Sequence, residues 1–304
     1  MIISTLMKIL KNCRPSWGFE RMSTVLVTGG DGTLGKSVTA GLRSCGYDVV
    51  CGTRRASPNE THCYLDVTDP VNVSAVIHSV KPSAIIHLAA TFVGDYDVAF
   101  ATNVLGAKNI LSAVKESGQP TRVVLAGSAA EYGLVSPEEN PVRESHILRP
   151  VSIYGLTKSW QTNYGLMCSY QGMDVLIARI FNLDGVGLSD RLFVGRISQQ
   201  IQEVVSGMRQ RIEVGSLDAV RDYISITDAA LHLIKITERG RSGEIYHVAS
   251  GQPIKMRDFL MQRLSTVGLD FSIVDEGAAL NVRAGYDVPV IYADISRTVA
   301  LLDE

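Results

Sequence analysis

Charge is scarce in this sequence. Only 20% of its 304 residues are Asp, Glu, Lys or Arg, and 29 basic against 31 acidic side chains leave a net charge of −2. So sparse and balanced a surface excludes the broad basic face that holds nucleic acid or an anionic membrane by electrostatics, and neither partner is expected. Cysteine is thin as well. Cys13, Cys45, Cys51, Cys63 and Cys168 are odd in number, scattered, and form no C-x-x-C pair. That pattern argues against a disulfide framework and a metal site and reads as reduced thiols in a cytoplasmic protein. No apolar run reaches the roughly 20 residues that a membrane-spanning helix needs, and no internal repeat or low-complexity linker is evident. The segment Met1–Leu10 is apolar but broken by Lys8, with no small-residue cleavage site after it, so a signal peptide is not expected. Residues 1–21 lie outside the pattern that follows and are expected to form a disordered extension.

What the chain does have is apolar content, 46% of its residues, enough for one large α/β domain or a domain with a smaller lobe. Its organising stretch is Val25 to Lys36, V-L-V-T-G-G-D-G-T-L-G-K, a buried strand running through glycines into a helix. Gly29, Gly32 and Gly35 are spaced G-x-x-G-x-x-G. Glycine there permits a tight turn, lets a pyrophosphate approach bare backbone and lets the helix pack closely on the strand. The helix N-terminus supplies free N–H groups and the positive end of a dipole. A tight turn without a ligand would use the same glycines.

Downstream, apolar runs of four to six residues alternate with helical patterns of ten or more. Strands are expected at Tyr47–Gly52, His62–Leu65, Ser83–Leu88, Arg122–Ala126 and Met173–Ile180. Helices are expected at Lys36–Cys45, Pro70–Val80 and Phe100–Glu116, with another opening at Ser152. This alternation predicts an α/β fold, a Rossmann-type doubly wound parallel sheet, with ligands beyond the C-terminal strand ends. After about residue 182 the alternation loosens. Helices are expected at Phe193–Gly207, Thr227–Thr237 and Met256–Val267, strands at Arg211–Val214 and Glu244–Val248, and residues 216–223 as a polar stretch before another strand. Residues 22–182 are thus read as a dinucleotide-binding domain, and 183–304 as a smaller mixed substrate-binding lobe interleaved with it.

Two features of the first half carry chemistry. The second strand is followed by Thr53, Arg54 and Arg55. A carboxylate there would take the adenosine ribose 2′-hydroxyl of NAD(H), whereas arginine accommodates a 2′-phosphate. With two arginines and no acid, NADP(H) is favoured and NAD(H) possible. Tyr154 and Lys158 are four residues apart, on one helical face, downstream of Ser128 at the end of the fifth strand. An ammonium beside a phenol favours the phenolate and brings it nearer to acid–base work at neutral pH. Surface helices carry Y-x-x-x-K as decoration. Behind a glycine-turn nucleotide site and a strand-end serine it reads as catalytic.

Taken in order, T-G-G-D-G-T-L-G, D-V-T-D at Asp66, H-L-A-A at His87, N-V-L-G-A-K-N-I at Asn103, the Ser128 loop, Y-G-L-T-K and R-I-F-N resemble the extended short-chain dehydrogenase/reductase family, the NAD-dependent epimerase/dehydratases. Within it, G-S-A-A-E-Y-G-L-V-S-P-E-E-N-P-V-R-E and V-G-S-L-D-A-V-R-D-Y look most like GDP-4-keto-6-deoxy-D-mannose reductases. The resemblance implies that Gly29, Gly32, Thr33, Leu34 and Gly35 hold the pyrophosphate, Arg54 the 2′-phosphate, and Asp66 and Val67 the adenine. Leu88, Ala89 and Ala90 would line the cofactor, with Asn103 in support. Ser128 would bond the sugar carbonyl, Tyr154 transfer the proton, and Lys158 bind the nicotinamide ribose and tune Tyr154. Asn182 and Arg221 would contact a nucleotide-sugar substrate, with Glu131 also counted on the substrate side. His87 reads as a packed strand residue. A homodimer through the helices that hold Asn103 and Tyr154 is implied as well.

Three departures qualify the likeness. Dehydratases of the family carry an acid two residues after the loop serine or threonine, where this chain has Ala130. Asp184-Gly185-Val186-Gly187-Leu188 stands where the reductases read closer to H-x-G-P-G-Q. The chain also stops at Glu304, where the family pattern normally continues, so the end of the substrate lobe is expected to differ. The resulting expectation is an NADPH-dependent reductase of a 4-keto-6-deoxy nucleotide sugar, GDP-linked by preference. A nucleotide-sugar 4-epimerase with tightly held NAD is the alternative. A dehydratase ranks lower, as does a non-catalytic nucleotide sensor, which would be expected to have lost one of Ser128, Tyr154 and Lys158.

Overall fold

In the computed structural model, residues 23–55, 61–277 and 288–303 are described, and the expected N-terminal extension at 1–21 lies outside them. Strand β1 (Thr24–Thr28) is fully apolar through Val25, Leu26 and Val27 because both faces of its sheet are covered. Successive side chains alternate across the sheet. Val25 and Val27 enter one core with Val38 and Leu42 of helix α1 (Thr33–Ser44) and Leu233 and Ile236 of α7 (Ile226–Arg239). Leu26 enters the other, with Val73 and Ile77 of α2 (Pro70–Val80) and Ile110 and Leu111 of α4 (Gly106–Ser117).

The sheet has seven strands: β2 (Asp48–Thr53), β3 (His62–Tyr64), β4 (Ala84–His87), β5 (Arg122–Ser128), β6 (Val175–Ile180) and β10 (Ile245–Val248) join β1. Their spatial order is β10-β6-β5-β4-β1-β2-β3, and every neighbouring pair is parallel. This is the doubly wound Rossmann-type sheet expected from the alternation. Thr28 registers with Gly52 and His87, and Ser128 with Ile180, so the candidate residues gather at one edge, the C-terminal one.

The helical run between β4 and β5 departs from the expected continuous helix. A short α3 (Tyr96–Ala99) passes into π-helical turns over Phe100–Leu105 and then into α4. The bulge holds Asn103, and π-turns inside helices recur at functional positions.

A second sheet is built around β9 (Val220–Ser225), which pairs with β7 (Asn182–Asp184), β11 (Pro253–Lys255) and β13 (Val290–Ile291). The expected polar stretch at 216–223 is therefore strand from Val220 onward. Its acid is satisfied inside the fold. The Asp222 carboxylate accepts from Ser250 N–H at 2.8 Å and Ser250 Oγ at 2.6 Å, and from the N–H groups of Gly251 at 2.9 Å and Ala293 at 3.2 Å. Helix α6 (Phe193–Val205), β8 (Ile212–Val214), α8 (Met256–Ser265) and β12 (Val274–Glu276) enclose a separate apolar cluster, and α9 (Ser296–Leu302) follows β13. No described helix is long and apolar enough to cross a membrane.

Candidate active site

The glycine turn begins where β1 ends. Gly29 has φ +68°, and its N–H bonds Gly52 O at 2.9 Å while its carbonyl accepts from Gly32 N–H at 3.0 Å. A Cβ on Gly35 would fall 2.4 Å from Gly29 O, so only glycine lets α1 start this close to the strand. Gly32 caps α1 with no side-chain bond, and the first turn, Thr33 and Leu34 included, holds no acid. The leading N–H groups are therefore open to an anion such as a pyrophosphate. Thr33 Oγ1 donates to Gly187 O at 2.6 Å, which ties the loop after β7 to this helix end.

Thr28 arranges the next strand exit. Its Oγ1 accepts from Ala89 N–H at 3.1 Å and meets His87 Nδ1 at 2.8 Å. His87 is fully buried, and burial with the Lys158 charge pushes its pKa down to about 3. It is a neutral packed residue, as expected. Leu88, Ala89 and Ala90 follow as partly exposed small and apolar groups at the strand end, Ala90 the most open.

Beyond β2, Arg54 and Arg55 are exposed. Burial opposes ionisation of Asp66, yet the Thr68 hydroxyl and N–H and the charge of Arg54 hold its carboxyl below the usual range. Val67 beside it is buried, with its carbonyl held by Asn109 Nδ2 at 2.9 Å. Sequence reading missed Asp31, whose Oδ2 accepts from Thr53 Oγ1 at 2.5 Å. The D in T-G-G-D-G was visible, but nothing in the string puts it at the end of β2.

The proton-transfer groups come from β5 and from α5 (Ile153–Tyr170). The Ser152 hydroxyl caps α5 through Gly155 N–H at 3.0 Å. Glycine at 155 is needed because a Cβ there would lie 2.3 Å from Ala130 O, so α5 presses directly on the Ser128 loop. Tyr154, one residue earlier, is hydrogen-bonded to the Ser128 side chain, and its ring packs on Phe92 with centroids 4.5 Å apart. Lys158 is 1% exposed. Its Nζ donates to Gln161 Oε1 at 2.8 Å, and Gln161 Nε2 donates to Ala126 O at 3.0 Å, which anchors the ammonium to the sheet. Asn103, buried in the π-turns, accepts from Thr91 N–H at 2.9 Å and donates to Thr91 O at 3.1 Å and Thr157 Oγ1 at 3.0 Å. It clamps the loop after β4 to α5.

The electrostatics differ from expectation at Tyr154. Lysine was expected to favour the phenolate. Instead burial raises the Tyr154 pKa, with Glu131 adding to the rise and the Ser128 bond opposing it. Lys158 is turned to Gln161, and burial pushes its own pKa down to about 8. A neutral phenol is the form that can donate a proton to a developing alkoxide. A buried ammonium with donors beyond its one bond to Gln161 suits ribose hydroxyls.

Glu131, counted on the substrate side, is not placed there. It is fully buried, accepting from Ser128 N–H at 2.7 Å through Oε1 and pairing with Arg179 at 2.8 Å through Oε2. Asn182 and Arg221 stand on the paired strands β7 and β9, half-buried. Asn182 Nδ2 donates to Asp222 O at 3.0 Å and Arg221 Nη1 to Val220 O at 2.9 Å. The divergent loop after β7 lines a cavity of about 230 Å³ with α6 and Arg263. There Asp184 pairs with Arg263, although burial pushes the carboxyl up. Among the described residues no group of three or more His, Cys, Asp or Glu could hold a metal ion.

Residues 25–249 match the sequence profile of the NAD dependent epimerase/dehydratase family. The chain is 28% identical over 263 residues to the GDP-6-deoxy-D-mannose reductase of Pseudomonas aeruginosa, covering 84% of each. It is 30% identical over 241 residues to the UDP-glucose 4-epimerase of Rhizobium meliloti, covering 68% of this chain and 70% of that one. Among solved structures, RMD from Pseudomonas aeruginosa complexed with NADPH superposes with a TM-score of 0.80 at 24% identity, over 92% of both chains.

Proposed function

Since the chain belongs to the NAD dependent epimerase/dehydratase family, an NAD(P)-dependent oxidoreductase of the extended short-chain dehydrogenase/reductase type, we propose that it is the reductase of a 4-keto-6-deoxy nucleotide sugar. The observation that carries this reading is the pairing of a half-buried, neutral Tyr154 with Ser128 on a loop whose nearest acid in sequence, Glu131, is held by Arg179. The loop has a proton donor for a ketone. It has no free acid to expel a sugar hydroxyl, since Ala129 and Ala130 carry none. Likeness to a GDP-6-deoxy-D-mannose reductase favours a GDP-sugar.

In this reading Gly29, Gly32, Thr33, Leu34 and Gly35 hold the dinucleotide pyrophosphate, Arg54 a 2′-phosphate, Asp66 and Val67 the adenine, and Leu88, Ala89 and Ala90 its flank. When bound, the nicotinamide supplies the hydride. Ser128 Oγ donates a hydrogen bond to the substrate carbonyl, which fixes that oxygen beside the Tyr154 hydroxyl. Tyr154 gives its proton to the oxygen as negative charge develops there. Lys158, itself buried, orients the ribose and lends positive charge to the site. Residues 183–304 supply a substrate-covering lobe, with Arg221 gripping the diphosphate as a charge-assisted contact and Asn182 beside it.

NADPH absorbance followed against a panel of 4-keto-6-deoxy nucleotide sugars should show stoichiometric consumption with one of them. An isomerised sugar without net consumption would replace this reading with a 4-epimerase, an activity named among its relatives. Incubation with GDP-mannose and NADP⁺ should yield no 4-keto-6-deoxy product by mass spectrometry. Such a product at a catalytic rate would overturn both the reading of Ala130 and the choice of reductase.

The same fold supports a homodimer through α5 and the helical run of Asn103. Along these helices Tyr96, Leu105, Trp160, Met167 and Tyr170 leave large apolar side chains exposed. Tyr96, Phe100 and Trp160 form a ring cluster with centroids 5.8 to 6.2 Å apart. Trp160→Glu should convert a dimer to monomer in sedimentation velocity at micromolar concentration. A wild-type protein that sediments as a monomer there would end this expectation.

A further inference from the structure

The absence of an acid along the end of β2 was the ground for favouring a 2′-phosphorylated cofactor. The fold supplies that acid from another place. Gly30 lies so close to β2 that a Cβ on it would sit 2.8 Å from the Cβ of Cys51, and this contact presses the glycine turn against the strand. Asp31 is thereby carried to the strand end, where Thr53 Oγ1 donates to its Oδ2 at 2.5 Å. Thr53 Oγ1 in turn accepts from Arg55 N–H at 3.1 Å, so the carboxylate is fixed to the backbone that presents the two arginines. On its other side Asp31 Oδ1 lies 3.6 Å from His62 Nε2, and its side chain keeps 29% of its surface open. A bonded carboxylate and exposed guanidinium groups thus share the position just beyond β2.

Resting on the dinucleotide reading of the glycine turn, we infer that Asp31 is a cofactor-specificity residue: it accepts the adenosine ribose hydroxyls of NAD(H), opposes a 2′-phosphate, and with Arg54 makes the site accept both cofactors. The chemistry is symmetric. A carboxylate accepts hydrogen bonds from a vicinal diol and repels a phosphate dianion put in place of one hydroxyl, while a guanidinium does the reverse. Neither group is displaced by the other, because Asp31 is bonded to Thr53 and Arg54 is exposed.

The test uses 5′-AMP and adenosine 2′,5′-bisphosphate, which differ only in the 2′-phosphate, together with NADH and NADPH, all titrated calorimetrically into the intact protein. The wild type should bind both members of each pair within about tenfold. Asp31→Asn keeps the size of the side chain and an acceptor for Thr53. It should tighten the 2′-phosphorylated member of each pair by on the order of tenfold relative to the other. Asp31→Ala should move the ratio the same way, and Arg54→Ala should move it oppositely. An unchanged ratio in both Asp31 variants, with all four compounds still bound, would sink the role of Asp31 and leave the dinucleotide site standing. Failure of the wild type to bind any of the four would remove the dinucleotide reading itself, and this inference with it.

Discussion

Tyr154→Phe should lower turnover by roughly 10²–10⁴-fold, the usual cost of losing a positioned general acid or base, while cofactor affinity and melting temperature stay close to wild type. The ring remains packed on Phe92, so the wall of the site keeps its shape. Only the hydroxyl goes, with its bond to Ser128. Because burial holds the phenol neutral, the donor is in place across the working pH range, and the pH profile should be set by another group. That group is Lys158, whose pKa burial pushes down to about 8. kcat/KM for the cofactor, which reports the free enzyme, should therefore fall as pH rises through about 8 and the ammonium is lost. Near-normal turnover in the phenylalanine variant would make Tyr154 a bystander, and a profile flat to pH 10 would remove Lys158 from cofactor binding.

The second large effect lies behind the site. Arg179→Met should destabilise the protein by about 3–5 kcal/mol, the cost of leaving one member of a buried ion pair without its partner. Arg179 and Glu131 are 1% and 0% exposed and 2.8 Å apart. Arg179 also donates to Tyr132 Oη at 2.8 Å and Glu144 O at 3.3 Å, and its guanidinium lies 4.6 Å from the Tyr132 ring centroid. The Tyr132 hydroxyl lies 2.5 Å from His247 Nε2. Burial pushes that tyrosine up to about 12 and that histidine down to about 4, so the neighbouring pair is neutral. Since Glu131 also holds the Ser128 N–H, turnover should fall along with stability. Arg179→Met combined with Glu131→Gln should recover part of the loss in urea unfolding, because no bare charge is left inside. Losses that simply add would show that the two residues do not act as a pair.

The parts of this molecule that were legible in sequence are those governed by near neighbours along the chain. The apolar strand runs, the glycine turn and the i, i+4 placement of Tyr154 and Lys158 all follow from local periodicity, and six of the main sheet's seven strands follow from their alternation; the seventh, β10, comes from the segment read as the substrate lobe. What was not legible depends on contacts across the chain. Asp31 reaches the end of β2 through a bond spanning 22 positions. Asp222 makes a polar segment into a strand only because donors 28, 29 and 71 positions away meet its carboxylate. Glu131 looked available for substrate because its partner Arg179 lies 48 positions on, inside an apolar strand. The Tyr154 pKa was misjudged for a related reason. Sequence shows which charge is close along a helix, but not how much solvent the fold removes around it.

The seventh strand gives the sheet a problem of timing. β10 pairs with β6, yet Val248 leaves the ribosome 68 residues after Ile180. At 5–20 residues per second that is roughly 3–14 s. During this interval β6 presents an unpaired, almost wholly apolar edge, V-L-I-A-R-I, to its surroundings or to another nascent copy. Such an edge is a template for strand addition. Its one charged residue, Arg179, points into the fold and not outward as a gatekeeper. Yield during expression should therefore depend on translation speed between residues 180 and 248 and on chaperone supply, even for variants whose finished structure is as stable as the wild type.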